Sequence, residues 1–182
     1  MNLLLIGYRG SGKTTVGKIL ATRLAMGFRD SDEEIVRRAG MDIASIFAQH
    51  SEAKFRDLES EVLADLLKHD NQIISLGGGV VVRPQNRVAI QTAKNTKTFF
   101  LNCDPHILHQ RIAADKKTAA HRPALTSFAG AIAEVEHLLQ QRLPWYREVM
   151  DFEIDGSQLA PEQIASRIIE LCQPSDRADK RA

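Results

Sequence analysis

Leu3-Leu4-Leu5-Ile6 runs directly into Gly7-Tyr8-Arg9-Gly10-Ser11-Gly12-Lys13-Thr14, and this stretch decides the fold. Four consecutive apolar residues ended by glycine suit a strand buried on both faces, as in a parallel sheet. From Lys13, the apolar residues Val16, Ile19, Leu20 and Leu24 recur at helical spacing, with Gly27 as the expected stop. Strand, glycine loop and helix therefore follow one another, which is the context the pattern GxxxxGK[ST] requires. Glycines let such a loop aim its N–H groups inward, and the helix N-terminus adds a field that favours phosphate. Lys13 is then placed to reach the β- and γ-phosphates of a nucleoside triphosphate, and Thr14 to offer a hydroxyl to Mg²⁺. Gly10, Ser11, Gly12 and Thr15 complete the expected ATP contacts.

Outward from the loop, the chain keeps alternating strand and helix. Leu58, Val62, Leu63, Leu66 and Leu67 mark an amphipathic helix, followed by a strand over 72–76 and then Gly77-Gly78-Gly79. A strand over 98–102 leads to a helix over 104–112 that opens on Asp104-Pro105. A helix over 131–145, a short strand over 152–154 and a last helix carrying Ile164, Ile168, Leu171 and Cys172 complete the series. The alternation predicts an α/β fold of three layers, a central parallel sheet flanked by helices. Between 114 and 127 the periodicity breaks, which reads as a mobile lid segment. With 182 residues and no linker or repeat, residues 1–172 read as one P-loop kinase domain and 173–182 as a polar tail.

Composition narrows the partners. At 43% hydrophobic, 26% charged and a formal charge of +1, the chain has no general affinity for nucleic acid or a membrane surface. The glycine loop follows the first strand at once, without a charged leader or long apolar segment, so a cytoplasmic location is the expectation. Cys103 and Cys172 lie in apolar stretches and read as buried free thiols. Cys103, His106 and His109 do not read as a metal site, because a helix start falls among them and no fourth ligand is evident.

Three further stretches carry chemistry, each with a plainer alternative. In Asp30-Ser31-Asp32, carboxylates at alternate positions can face one cavity, one for Mg²⁺ and one for an attacking hydroxyl; the alternative is helix capping. Glu33 and Glu34 read as solvated. In Phe55-Arg56-Asp57-Leu58-Glu59, Glu59 can fix Arg56 across one helix face as an anion receptor, or the two form an ordinary surface pair. Gly77-Gly78-Gly79, at the C-terminal end of a strand, is either a close approach to a ligand or a flexible turn.

In order and spacing, GYRGSGKT (7–14), DSD (30–32), FRDLE (55–59), LGGGV (76–80), RPAL (122–125) and RLPWYR (142–147) resemble the shikimate kinases. The resemblance implies transfer of the γ-phosphate of ATP to the 3-hydroxyl of shikimate. It implies that Asp30 organises Mg²⁺ with Thr14, that Asp32 binds the shikimate hydroxyls and activates the attacking one, and that Arg56 and Arg142 clasp the carboxylate, with the Gly78 backbone closing the pocket. Arg122 corresponds to a lid arginine over the phosphates, and Arg111 to one stacked on adenine. Here Arg122-Pro123 is followed by Ala124-Leu125, where the family often has two leucines, and 116–121 offers no residue-by-residue match. Trp145 and Tyr146 read as packing of the lid-side helix against the core. A gluconate kinase shares the cradle and a carboxylate acceptor, but DSD and FRDLE in this order favour the shikimate enzymes; a nucleotide-binding module without chemistry would not need this full set. A monomer is the expectation.

Overall fold

A computed structural model of the chain describes residues 1–115 and 132–173. The lid expected over 114–127 lies outside the described residues except for Ala114 and Asp115, so Arg122 is not among them; residues 174–182 of the tail also lie outside. The described strands are β1 (Asn2–Ile6), β2 (Gly27–Asp30), β3 (Gln72–Ser75), β4 (Thr96–Asn102) and β5 (Phe152–Asp155). The helices are α1 (Lys13–Leu24), α2 (Ser31–Ala39), α3 (Ile43–Gln49), α4 (Glu52–Leu66), α5 (Pro84–Thr92), α6 (Pro105–Ala114), α7 (Ile132–Val149) and α8 (Pro161–Cys172), with a 3₁₀ turn at Val80–Val82.

All the strands pair in parallel in the order β2-β3-β1-β4-β5. β1 is central, with Leu4 opposite Ile74 on one side and Thr98 on the other. Side chains alternate across a strand, so the apolar run of β1 feeds two cores. Leu3 and Leu5 pack with Val16 and Leu20 of α1 and with Ile164 and Ile168 of α8. Leu4 and Ile6 pack on the other face with Ile35, Val62, Leu66 and Tyr146. This is the predicted α/β sandwich with helices on both faces.

Several boundaries differ from expectation. α1 stops at Leu24, where Ala25 takes the left-handed cap at φ 51° and its N–H bonds Ala21 O; Gly27 instead opens β2. α3 and α5 were not expected. Asp42 starts the first by accepting from Ser45 N at 2.7 Å, and Pro84 starts the second. α7 continues past 145 with Pro144 inside it, because Tyr146 and Val149 beyond the proline are buried against the core and hold the last turn. Cys103 is buried, but Cys172 is only half-buried; both thiols are free. Glu34 is not merely solvated, since it accepts from Arg37 at 2.6 Å and from Arg38 at 3.1 Å.

No described helix is long and apolar enough to cross a membrane.

Candidate active site

The loop between β1 and α1 folds over the C-terminal edge of the sheet. Gly7 adopts φ 144°, and a β-carbon there would stand 2.5 Å from Leu101 O, so no other residue fits without displacing β4. Gly12, at φ 93°, is the left-handed residue that caps α1. Lys13 Nζ donates to Gly7 O and Tyr8 O, each at 2.9 Å, which holds the ammonium inside the loop. Ser11 Oγ is buried and has no hydrogen-bond partner among the described residues. A buried hydroxyl of this kind is costly unless something supplies a partner, and a phosphate oxygen in the cradle would do so.

Gly10, Ser11, Gly12, Lys13, Thr14 and Thr15 line a cavity of about 450 Å³, and Asp30, Asp32, Gly78 and Arg111 line it too. Thr14 Oγ1 donates to Asp30 Oδ2 at 2.9 Å, while Asp30 Oδ1 accepts from Asp32 N at 3.0 Å. One Asp30 carboxylate oxygen therefore caps α2, and the other meets the threonine hydroxyl. A hydroxyl and a carboxylate so placed are hard oxygen donors of the kind Mg²⁺ takes beside a phosphate. Together with the buried ammonium and the unpartnered hydroxyl, these groups fit MgATP.

The wall across from the cradle is built around the three glycines. Ser31 Oγ accepts from Gly77 N at 2.8 Å, tying the acidic turn to the end of β3. A β-carbon on Gly77 would lie 2.7 Å from Asp32 Oδ1 and 3.1 Å from Glu59 Oε1; one on Gly79 would overlap the Arg56 guanidinium. The glycines make room first for the chain's own Asp32, Glu59 and Arg56. At Gly78 the wall touches the loop, because a β-carbon there would meet Arg9 N and Gly7 O at 3.3 Å.

Arg56 and Arg142 do not line the cavity themselves and pack behind this wall, Arg56 against Gly79 and Arg142 against Gly78 O. Arg56 donates from Nη1 to Glu59 Oε2 at 2.8 Å, with both residues buried at 7% and 2% exposure, so the surface-pair alternative is excluded. Burial opposes the charge on Arg56, but Glu59 and Glu52 more than offset it and its pKa is raised; the guanidinium keeps its proton. For Glu59, burial pushes the carboxyl upward while Arg56, Arg142 and Arg83 pull it back. At 2.8 Å from an arginine that cannot lose its proton, we take the pair as ionised. Arg142 is also buried, at 7% exposure; it donates to Gly78 O at 3.3 Å and lies 5.8 Å above the Tyr8 ring. Arg56 is thus engaged by Glu59 and, at 3.2 Å, by Glu52, while Arg142 meets a backbone carbonyl.

Arg111 lines the far end of the cavity, where Nη2 donates to Gly156 O at 3.2 Å and Nη1 to Cys103 Sγ at 3.7 Å. Sequence reasoning missed Ser31, which sits inside the acidic motif already singled out and ties it to Gly77; Tyr146 is buried in the core, as expected.

The model of the shikimate kinase family matches residues 9–173. This chain belongs to the shikimate kinase family. It is 38% identical over 168 residues to a shikimate kinase of Thermodesulfovibrio yellowstonii, covering 92% of each chain. With a shikimate kinase of Caldicellulosiruptor bescii it shares 36% identity over 170 residues, covering 93% of this chain and 94% of the relative. Among solved structures, the shikimate kinase of Acinetobacter baumannii in complex with shikimate superposes with a TM-score of 0.84 at 32% identity, covering 93% of this chain and 91% of that one. Members of this family are ATP-dependent phosphotransferases, and the cradle, acidic turn and glycine wall described above all fall within or beside the matched residues.

Proposed function

We propose that this protein transfers the γ-phosphate of ATP to the 3-hydroxyl of shikimate, giving shikimate 3-phosphate and ADP on the route to chorismate and the aromatic amino acids. The observation that carries the reading is the meeting, at Gly78, of a phosphate cradle with a wall that holds two buried arginines. Bound to Lys13, the loop N–H groups, Thr14 and Asp30, MgATP supplies the phosphoryl group. Arg56 and Arg142 clasp the shikimate carboxylate, and the Gly78 backbone closes the pocket. Asp32, lining the cavity beside Gly77, orients the acceptor hydroxyl and stands to receive its proton on a carboxylate oxygen. Lys13 stabilises the negative charge on the group in transit. Arg111 lies against adenine; Arg122, the residue that corresponds to the family's lid arginine, lies outside the described residues. The protein acts as a monomer in the cytoplasm.

The test is release of ADP by the purified protein with MgATP and shikimate, run beside gluconate, AMP and no acceptor. Release that depends on shikimate alone supports the assignment. Release with gluconate or AMP only would keep the cradle and overturn the acceptor, and silence with every acceptor would make the chain a binding module.

A further inference from the structure

Tyr146 is fully buried and stacks on Phe100 of β4, the ring centroids 4.9 Å apart and the planes 17° from parallel. Its hydroxyl donates to Gly78 O at 2.5 Å. Arg142, one turn earlier on α7, donates to the same oxygen at 3.3 Å. Packing alone requires the ring and not the hydroxyl, so the hydrogen bond asks for its own explanation.

A peptide group is planar, so fixing the Gly78 carbonyl fixes the orientation of the 78–79 peptide. That peptide leads into Gly79, whose Cα approaches the Arg56 guanidinium so closely that a β-carbon would overlap it. The other side of Gly78 lies against the backbone of Tyr8 and Arg9. One hydroxyl thus bears on Arg142 directly, through their shared acceptor, and on Arg56 through the glycine backbone. We propose that Tyr146 is a positioning residue for the acceptor, setting the spacing of the Arg56 and Arg142 guanidiniums through the Gly78 carbonyl. The proposal rests on the reading of those arginines as carboxylate ligands and adds the group that holds them in register. Planar bidentate recognition is sensitive to displacement, which makes acceptor affinity the quantity the hydroxyl controls.

Tyr146→Phe keeps the ring stacked on Phe100 and removes only the hydroxyl. We expect the KM for shikimate to rise about tenfold, the scale of one lost hydrogen bond to a charged site, with the KM for ATP changed less than about twofold. Adding Tyr146→Phe to Arg142→Ala should raise the shikimate KM by a smaller factor than Tyr146→Phe does in the wild type, because the path through Arg142 is gone and only the one through Gly79 to Arg56 remains. Phe99→Leu, in the opposite core, serves as the control for lost stability and should leave the ratio of the two KM values unchanged. Wild-type turnover with shikimate together with an unchanged shikimate KM in Tyr146→Phe overturns this proposal alone. Equal rises in both KM values, or full additivity with Arg142→Ala, also overturn it. Absence of wild-type turnover with shikimate overturns the acceptor assignment instead. If Tyr146→Phe does not fold, titrating shikimate into Arg142→Lys decides the matter: affinity near that of the wild type means guanidinium position is not what the carbonyl sets.

Discussion

In the proposed phosphate cradle, consecutive residues from Arg9 to Thr15 line the cavity with loop backbone, the Lys13 ammonium and the hydroxyls of Ser11, Thr14 and Thr15, all placed by the β1–α1 junction. The facing wall, proposed for the acceptor, collects Asp32 from α2, Arg56 and Glu59 from α4, Gly77 to Gly79 after β3, and Arg142 and Tyr146 from α7. The cradle is local and mostly backbone; the wall is long-range and mostly buried charge. Cradle side chains can therefore be removed with the fold left standing, whereas wall side chains hold charges whose partners cannot reach water. Substitutions in the two regions should fail in different ways.

Glu59→Ala should have the largest effect, costing about 3–5 kcal/mol of stability, because Arg56 would remain buried without its main counter-ion. Thermal or urea unfolding measures this, and a loss under about 1 kcal/mol would mean that water reaches Arg56 after all. Lys13→Ala should leave the melting temperature nearly unchanged while lowering kcat by about 10²–10³, the loss seen when one preorganised charge-stabilising donor is removed. Near-normal turnover would contradict the role given to its ammonium.

Gly79→Ala sharpens the contrast within one backbone segment. Its methyl group must displace the Arg56 guanidinium, so we expect about 1–3 kcal/mol of lost stability and a raised shikimate KM with ATP affinity unchanged. A selective rise in the KM for ATP would place Gly79 on the cradle side.

The smallest effect belongs to the surface. The Arg37 hydrogen bond, helped by Arg38, holds the Glu34 carboxyl down at about 2. A depressed carboxyl pKa stabilises the fold above the ordinary carboxyl range, and that contribution fades as pH falls toward 2. Glu34→Gln should accordingly melt slightly below the wild type at pH 7 and nearly with it at about pH 2. A gap of equal size at both pH values would show that charge is not its source.

Much of the cradle was legible because its information is local. The apolar run Leu3 to Ile6, the glycines and Lys13 lie within a dozen residues, and each local preference agrees with the next. The acidic turn was legible for the same reason, although only the structure shows Asp30 capping α2 and meeting Thr14 at once. For the wall, FRDLE announced a pair, but three-residue spacing on a helix says nothing about burial, and burial turns an ordinary pair into a demanding one. The glycine triplet is harder still. Its reason for lacking side chains lies in Asp32 and Arg56, far away in the chain, and no local pattern records that crowding. The helix expected to end at 145 runs on to Val149, because burial of Tyr146 and Val149 against the core holds a last turn that local pattern does not record.

The separation of the two regions is tested most directly by measuring the KM for shikimate and for ATP in Arg142→Ala. Loss of a charged hydrogen-bonding partner should raise the shikimate KM roughly 10- to 150-fold, with the KM for ATP within about twofold of the wild type. A selective loss of ATP affinity would move Arg142 into the cradle and contradict the division drawn at Gly78.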